Sequence, residues 1–195
     1  MTALLARLRR SDRGTVLTEF AVLAPTLLLL IMAAMDLSYR AYAQSILEGA
    51  MQKAGRDSGI QGGAEKTDEI DKKVKEMVTK VVKNATFVTT RKSYSTFSNI
   101  KPEKFADNNN NGQRDAGECF DDVNGNGSWD VDPGTAGQGG ADDITVYRTE
   151  VTYPRLFPMY GMLGWSKSQV ISAKTILKNQ PYASQSVIAV KSVCT

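Results

Sequence analysis

Twelve residues from Asp107 to Glu118, DNNNNGQRDAGE, carry the strongest chemical pattern in this 195-residue chain. Asp107, Asn109, Asn111 and Asp115 place side-chain oxygens at positions 1, 3, 5 and 9 of the stretch. Gln113 presents a backbone carbonyl at position 7, Glu118 closes the series at position 12, and Gly112 stands at position 6, where the chain must turn sharply. Calcium takes roughly six to eight hard oxygen ligands, and a loop of this length with that Gly and a final two-oxygen carboxylate wraps a chain around it. The spacing therefore predicts a calcium loop. Fifteen residues on, the beginning repeats as Asp122, Asn124, Asn126, Gly127 and Asp130, with Ser128 at position 7. The twelfth position is now Pro133, so closure falls to Asp132 or to a residue from elsewhere. The first loop meets every requirement for one Ca2+, and the second would add another only with that borrowed ligand. Asn at two ligand positions of each loop points to weak binding, about 10⁻⁴ to 10⁻³ M as in extracellular modules. Metal-free turns rich in Asn, Gly and Asp are the plainer alternative.

Other chemistries find little support. The absence of histidine removes His-based triads, His general bases and nearly all zinc sites. No Gly-x-Ser-x-Gly or phosphate-loop pattern occurs, and the acids that could catalyse are those the loops use, so no enzyme is expected. From Asp107 to Asp143 there are nine acids and one base, Arg114, whereas the rest of the chain has 23 bases and 12 acids. An acidic insert in a basic host is a poor nucleic-acid signal, and no nucleic-acid partner is expected. Cys119 and Cys194 would pair in an oxidising compartment, tying the insert to the C-terminus; two unpaired buried thiols are the alternative.

The element that must carry all this outward begins at Gly14. From Phe20 to Met35 sixteen residues pass without a charge, bounded by Glu19 and Asp36. That is close to the lower limit for spanning a bilayer, which needs about 20. Arg7, Arg9, Arg10 and Arg13 precede it against Asp12 alone, which keeps residues 1–14 in the cytoplasm and exports everything after Asp36. A removed signal peptide fits the same layout less well, because Ala41-Tyr42-Ala43 follows only after Asp36 and Arg40 have broken the run. Glu19 is a lone carboxylate in the run, a costly placement that usually marks function or a partner; the alternative is a helix-flanking acid at headgroup level. Pro25 should kink a helix unless neighbours satisfy the freed carbonyl.

Past Asp36 the helical spacing continues through Tyr39, Ala43, Ile46, Ala50 and Ala54, with Leu47 and Met51 alongside, until Gly55, Gly59, Gly62 and Gly63 end it. One helix of about 40 residues, roughly 60 Å long, is expected. Ile70, Val74, Met77, Val78, Val81 and Val82 then mark an amphipathic helix whose lysines face solvent. Strands are predicted over 86–97, 144–153 and 169–177, giving an antiparallel sheet packed on the helices. The connection PRLFPMYGMLGW, Pro154 to Trp165, is unusually apolar and should either meet a partner or membrane or fold back over the core.

Gly14, the uncharged run, Glu19 at the fifth position after that Gly and Phe20 behind it resemble a type IV prepilin. More specifically, RGTVLTEFAVLAPTLLLLIMAAMDLSYRAYAQ, with Glu19, Pro25 and Asp36 in order, and the short KNQPY at Lys178 to Tyr182 resemble the TadE-like family of Tad (Flp) pilus pseudopilins. The resemblance implies cleavage after Gly14 by a prepilin peptidase, leaving Thr15 first, and a role for Glu19 in neutralising a neighbouring subunit's new amino terminus. It also implies other pilins or pseudopilins and an inner-membrane assembly platform as partners. The acidic insert is outside that family pattern.

The expected architecture is α+β: a basic leader at 1–14, a transmembrane pilin-like helix at 15–36, and an exported domain at 37–195 with the calcium insert at 107–133. The expected function is that of a non-enzymatic minor pilin in the bacterial inner membrane, single-pass, with its C-terminal domain periplasmic or extracellular. The alternative is a membrane-anchored, calcium-dependent binding or adhesion module that never enters a filament.

Overall fold

Apolar residues spaced by three and four keep one helix running far past the uncharged segment. In the computed structural model, which describes residues 15–59, 66–180 and 188–194, that helix is the single element α1 (Thr15–Gly59). Pro25 lies inside it without breaking it. The chain divides into two units, Met1–Tyr42 with Pro154–Gln169, and Ala43–Tyr153 with Val170–Thr195.

In the second unit, Ala43, Leu47, Ala50, Met51 and Ala54 of α1 are all buried. Helix α2 (Thr67–Thr79) buries Ile70, Val74 and Val78, one face at helical spacing, and leaves its lysines outward. The strands are β1 (Thr86–Tyr94), β2 (Cys119–Asp122), β3 (Thr135–Ala136), β4 (Ile144–Pro154), β5 (Ser168–Lys178) and β6 (Lys191–Cys194). β4 alternates as the sequence does: Tyr147, Thr149, Val151 and Tyr153 are buried between partly or fully exposed neighbours. Val151, fully buried, contributes about 1.5–3 kcal/mol of apolar transfer.

The main sheet has the order β3-β1-β4-β5. β1 and β4 pair antiparallel from Thr86 opposite Thr152 to Tyr94 opposite Ile144. β2 and β6 form a second, two-stranded antiparallel ladder with Cys119 opposite Cys194. The architecture is thus α+β, with a long N-terminal helix and a small antiparallel sheet. The expected strand over 86–97 stops at Tyr94, because a 3-10 turn over Phe97–Asn99 takes the chain out of the sheet. β3, β2 and β6 are elements beyond the three strands expected.

α2 is fastened to the sheet by one polar cluster. Arg91 on β1 donates two hydrogen bonds to Asp71, at 3.0 and 2.5 Å, and its guanidinium lies 4.1 Å from the Tyr147 ring centroid. The Tyr147 hydroxyl donates to the same carboxylate at 2.6 Å. Burial, then the hydrogen bond to and charge of Asp71, push the Tyr147 phenol well above its usual value, against the opposing charge of Arg91 and a hydrogen bond from Thr149.

In the first unit, ten large apolar side chains between Val16 and Met35 are exposed. By length and composition α1 can cross a membrane. Asp36, where the uncharged run ends, is completely buried. It accepts hydrogen bonds at Oδ2 from Arg155 and, at 2.6 Å, from Gln169. The apolar connection after β4 contains a single helical turn, α3 (Tyr160–Leu163), ended by Gly164. Met159 is buried, while Leu156, Met162, Leu163 and Trp165 are exposed.

Candidate functional site

Both predicted loops hang from one short ladder. Residues 103–106 run antiparallel beside β2, with Ala106 N–H donating to Cys119 O at 2.8 Å, Asp121 N–H to Lys104 O at 2.9 Å, and Phe105 bridged to Phe120. β6 flanks β2 on its other side, and a Cys119–Cys194 disulfide fastens the pair. The buried Phe120 fills the space beneath, with Arg114 over its ring and Trp129 edge-on to Phe105.

In the first loop the Asp107 carboxylate accepts from the Asn111 and Gly112 N–H groups at 3.1 and 2.8 Å. Asn109 Oδ1 accepts from Asn111 N–H, and Asn111 Oδ1 from Gln113 N–H. Gly112 holds φ at 74°, the left-handed conformation that lets the chain fold back here. The amides of Asn109 and Asn111 both point Nδ2 at Asp115 Oδ2, at 2.6 and 2.7 Å. Glu118, buried, closes the loop with both oxygens: Oε1 accepts from Asn108 N–H at 2.8 Å and Oε2 from Asp115 N–H at 2.9 Å.

The second loop repeats these bonds and adds one, from Gly125 N–H. Asp122 accepts from the N–H groups of Gly125, Asn126 and Gly127; Asn124 Oδ1 accepts from Asn126 N–H; Asn126 Oδ1 accepts from Ser128 N–H. Asn124 and Asn126 aim Nδ2 at Asp130 Oδ2, at 2.8 and 2.6 Å, and Gly127 has φ of 74°. Its closing carboxylate is Glu103. Glu103 Oε1 accepts from Val123 N–H and Oε2 from Asp130 N–H, each at 2.9 Å. These are positions 2 and 9 of the loop, the same two that Glu118 binds in the first.

Asp132, the sequence candidate for that closure, faces elsewhere. It accepts from Lys92 Nζ and Tyr94 Oη, each at 2.6 Å, and fixes the loop's exit to β1. Burial pushes its carboxyl up, but the hydrogen bonds from Lys92, Tyr94 and the Gly134 N–H, with the Lys92 charge, outweigh this and hold it below the usual carboxylate value. Burial, then the hydrogen bond to and charge of Asp132, push the Tyr94 phenol up. Of the two closures the sequence left open, Asp132 or a residue from elsewhere, the second is the one found: Glu103 closes the loop by hydrogen bonds and Asp132 does not. Sequence spacing could not find Glu103, because it stands before the loop it closes, not twelve residues into it. Its signal lies in the ladder that brings residues 103–106 beside β2.

Among the described residues no three His, Cys, Asp or Glu side chains gather in a way suited to a metal ion. Each loop instead converges a carboxylate and two asparagine amides on one point, with a second carboxylate behind. At the other end of the chain, Thr15 begins α1 and Glu19 is exposed on it, whereas Gly14 and the rest of the predicted cleavage leader lie outside the described residues. Pro181 and Tyr182 of the KNQPY stretch do too. Asn179 of that stretch is buried at the end of β5, where Nδ2 donates to Gln138 O and Gly140 O, each at 2.8 Å, and locks the turn before β4.

The helix that carries Glu19 near its start and Asp36 past its apolar half is where the chain resembles known proteins. Residues 14–56 match the TadE-like protein family. The matched segment covers nearly all of α1 and stops before α2, so the two Asp- and Asn-rich loops lie outside it. The match relates the chain to Tad pilus proteins and agrees with a membrane-anchored one. Neither the curated proteins nor the solved structures compared with the chain give a match.

Proposed function

We propose that this chain is a non-enzymatic minor pilin, a TadE-like pseudopilin that helps assemble or initiate a Tad pilus, and that calcium staples its exported part. The TadE-like match over residues 14–56 carries the reading. Glu19 at the fifth place after Gly14, ahead of sixteen uncharged residues, supports it. In this reading a prepilin peptidase cuts after Gly14, Glu19 meets the amino terminus of a neighbouring pseudopilin, and an inner-membrane platform drives assembly. The chain is anchored in the bacterial inner membrane with residues 1–14 inside and the domain after Asp36 outside.

The calcium part is supported by the shared bonding pattern of the two loops. A cation at Asp115 or Asp130 would replace the amide Nδ2 groups that now donate to each carboxylate. Rotation of each Asn side chain would turn Oδ1 to the ion in exchange for the N–H bond it now accepts, supplying oxygen ligands beside Asp107 and Asp115, or Asp122 and Asp130, with Glu118 or Glu103 completing the shell.

The deciding experiment is the N-terminal sequence and intact mass of the chain made in a host with its own prepilin peptidase. A start at Thr15 is expected. Retention of Met1 or Thr2 overturns the pseudopilin reading in favour of a plain membrane anchor bearing a binding domain. Glu19→Ala should then impair pilus assembly while membrane insertion persists.

A further inference from the structure

The connection between β4 and β5 lies where α1 loses its apolar character. Arg155 and Gln169, at its two ends, both donate to Asp36, the first charged residue after the uncharged run. Arg155 also closes the connection on itself: its N–H donates to Lys167 O at 3.0 Å and its Nε to Ser166 O at 2.8 Å. The segment is therefore pinned at the level of Asp36 and shaped internally by α3, with Trp165 N–H donating to Tyr160 O and Met159 buried as its anchor.

The outward composition is that of a membrane interface. Leu156, Met162, Leu163 and Trp165 are exposed, Met162 by 73%, as are Met35 and Leu37, the residues on either side of Asp36 in α1. From Pro154 to Gln169 the chain has two bases, Arg155 and Lys167, and no acid. The guanidinium of Arg155 sits 4.8 Å from the Trp165 ring centroid, so the indole is held against the Arg155–Asp36 ion pair. Tryptophan beside a basic side chain favours the headgroup level, where an apolar ring and a polar tip are both satisfied. Glu19 and Asp36 stand seventeen residues apart on α1, about 26 Å of helix at 1.5 Å per residue. That is near the thickness of the hydrocarbon core, about 30 Å, so Asp36 falls at its boundary.

We propose that the segment from Arg155 to Lys167 lies in the interface of the bilayer that α1 enters, with Leu156, Met162, Leu163 and Trp165 immersed beside the acyl chains and Lys167 among anionic headgroups. The proposal rests on the reading of α1 as a membrane anchor. It makes the attachment two-pointed: α1 crosses, and the segment lies flat on the exit side.

The full chain, reconstituted in phosphatidylcholine–phosphatidylglycerol vesicles whose acyl chains are brominated near the headgroup end, tests this by tryptophan quenching beside a Trp165→Phe control. The expected result is quenching of the native chain that is lost in Trp165→Phe, and weakened by Met162→Asp, an exposed position whose change leaves the fold intact. Equal quenching of native and Trp165→Phe chains overturns the proposal, as does a Trp165 shielded from both bromolipid and aqueous iodide, which would put a protein over it. Flotation of the same vesicles separates the two readings. A chain that floats with unquenched Trp165 keeps the anchor and loses the interfacial segment; one that does not float loses both.

Discussion

Glu103 and Glu118 perform one task from opposite sides of their loops. Each is buried, and each accepts one backbone N–H at loop position 2 and one at position 9. A buried carboxylate that holds two stretches of a loop is also an acid with both oxygens already directed to the loop's backbone. Replacing Glu103 with Gln keeps the shape and removes the charge. Calcium affinity of the second loop should then fall at least about tenfold while the first is untouched, since affinity in such sites follows the number of charged ligands. Trp129 reports it directly, because its indole Nε1–H donates to Glu103 O at 2.8 Å within that loop. A calcium titration of Trp129 emission in a Trp165→Phe background gives the shift; an unchanged midpoint in Glu103→Gln would remove Glu103 from the ligand set. Glu118→Gln should weaken the first loop in the same way.

At the scale of elements, the junction of α2 with the sheet depends on a charged hydrogen-bonded group, and its pH dependence follows. The Tyr147 phenol is pushed up from its ordinary value of 10.0 by burial and by Asp71. The folded chain thus holds that proton more tightly than the unfolded chain. The corresponding stability is complete below about pH 10 and is lost as pH rises through the folded value. Tyr147→Phe cannot ionise, so its alkaline loss of stability should be shallower; Tyr94, shifted the same way, keeps it from being flat. At neutral pH the variant should be about 1.5–3 kcal/mol less stable, the worth of one hydrogen bond to a charged group. Urea unfolding followed across pH tests both limbs, and parallel alkaline slopes for the two chains would exclude Tyr147 as the source. α1, α2, β4 and β5 were all legible in the sequence, because their periodicities of 3.6 and 2 extend over nine residues or more. β3 and β6 were not: two and four residues carry no period, and both are set by partners far along the chain, Ser93 opposite Thr135 and Asp122 opposite Lys191. The Pro154 to Trp165 connection was legible in composition only; sequence could not show that Met159 turns inward while Met162 faces out.

Across the whole molecule, the acidic insert and its host draw their stability from different sources. The host buries apolar faces of α1, α2, β4 and β5, a contribution that does not depend on ions. Between Asp107 and Pro133, Phe120 is the one large apolar side chain that is fully buried. The rest is ordered by hydrogen bonds among polar groups that water would also satisfy, against the backbone entropy of a long polar segment. Calcium, binding only the ordered loops, would shift that balance by mass action. Arg114 is the single basic residue from Asp107 to Asp143, so trypsin has one target there, in the middle of the first loop. With calcium present, cleavage after Arg114 should be slow. With a chelator it should become the first cut, while helical circular dichroism stays unchanged because α1 and α2 draw nothing from the loops. The disulfide does not mask the result: Cys119 and Cys194 both lie on the C-terminal side of Arg114, so the nicked chain separates into two fragments. Equal cleavage with and without chelator would mean that the hydrogen-bonded loops hold their shape unaided, and the calcium reading would fall.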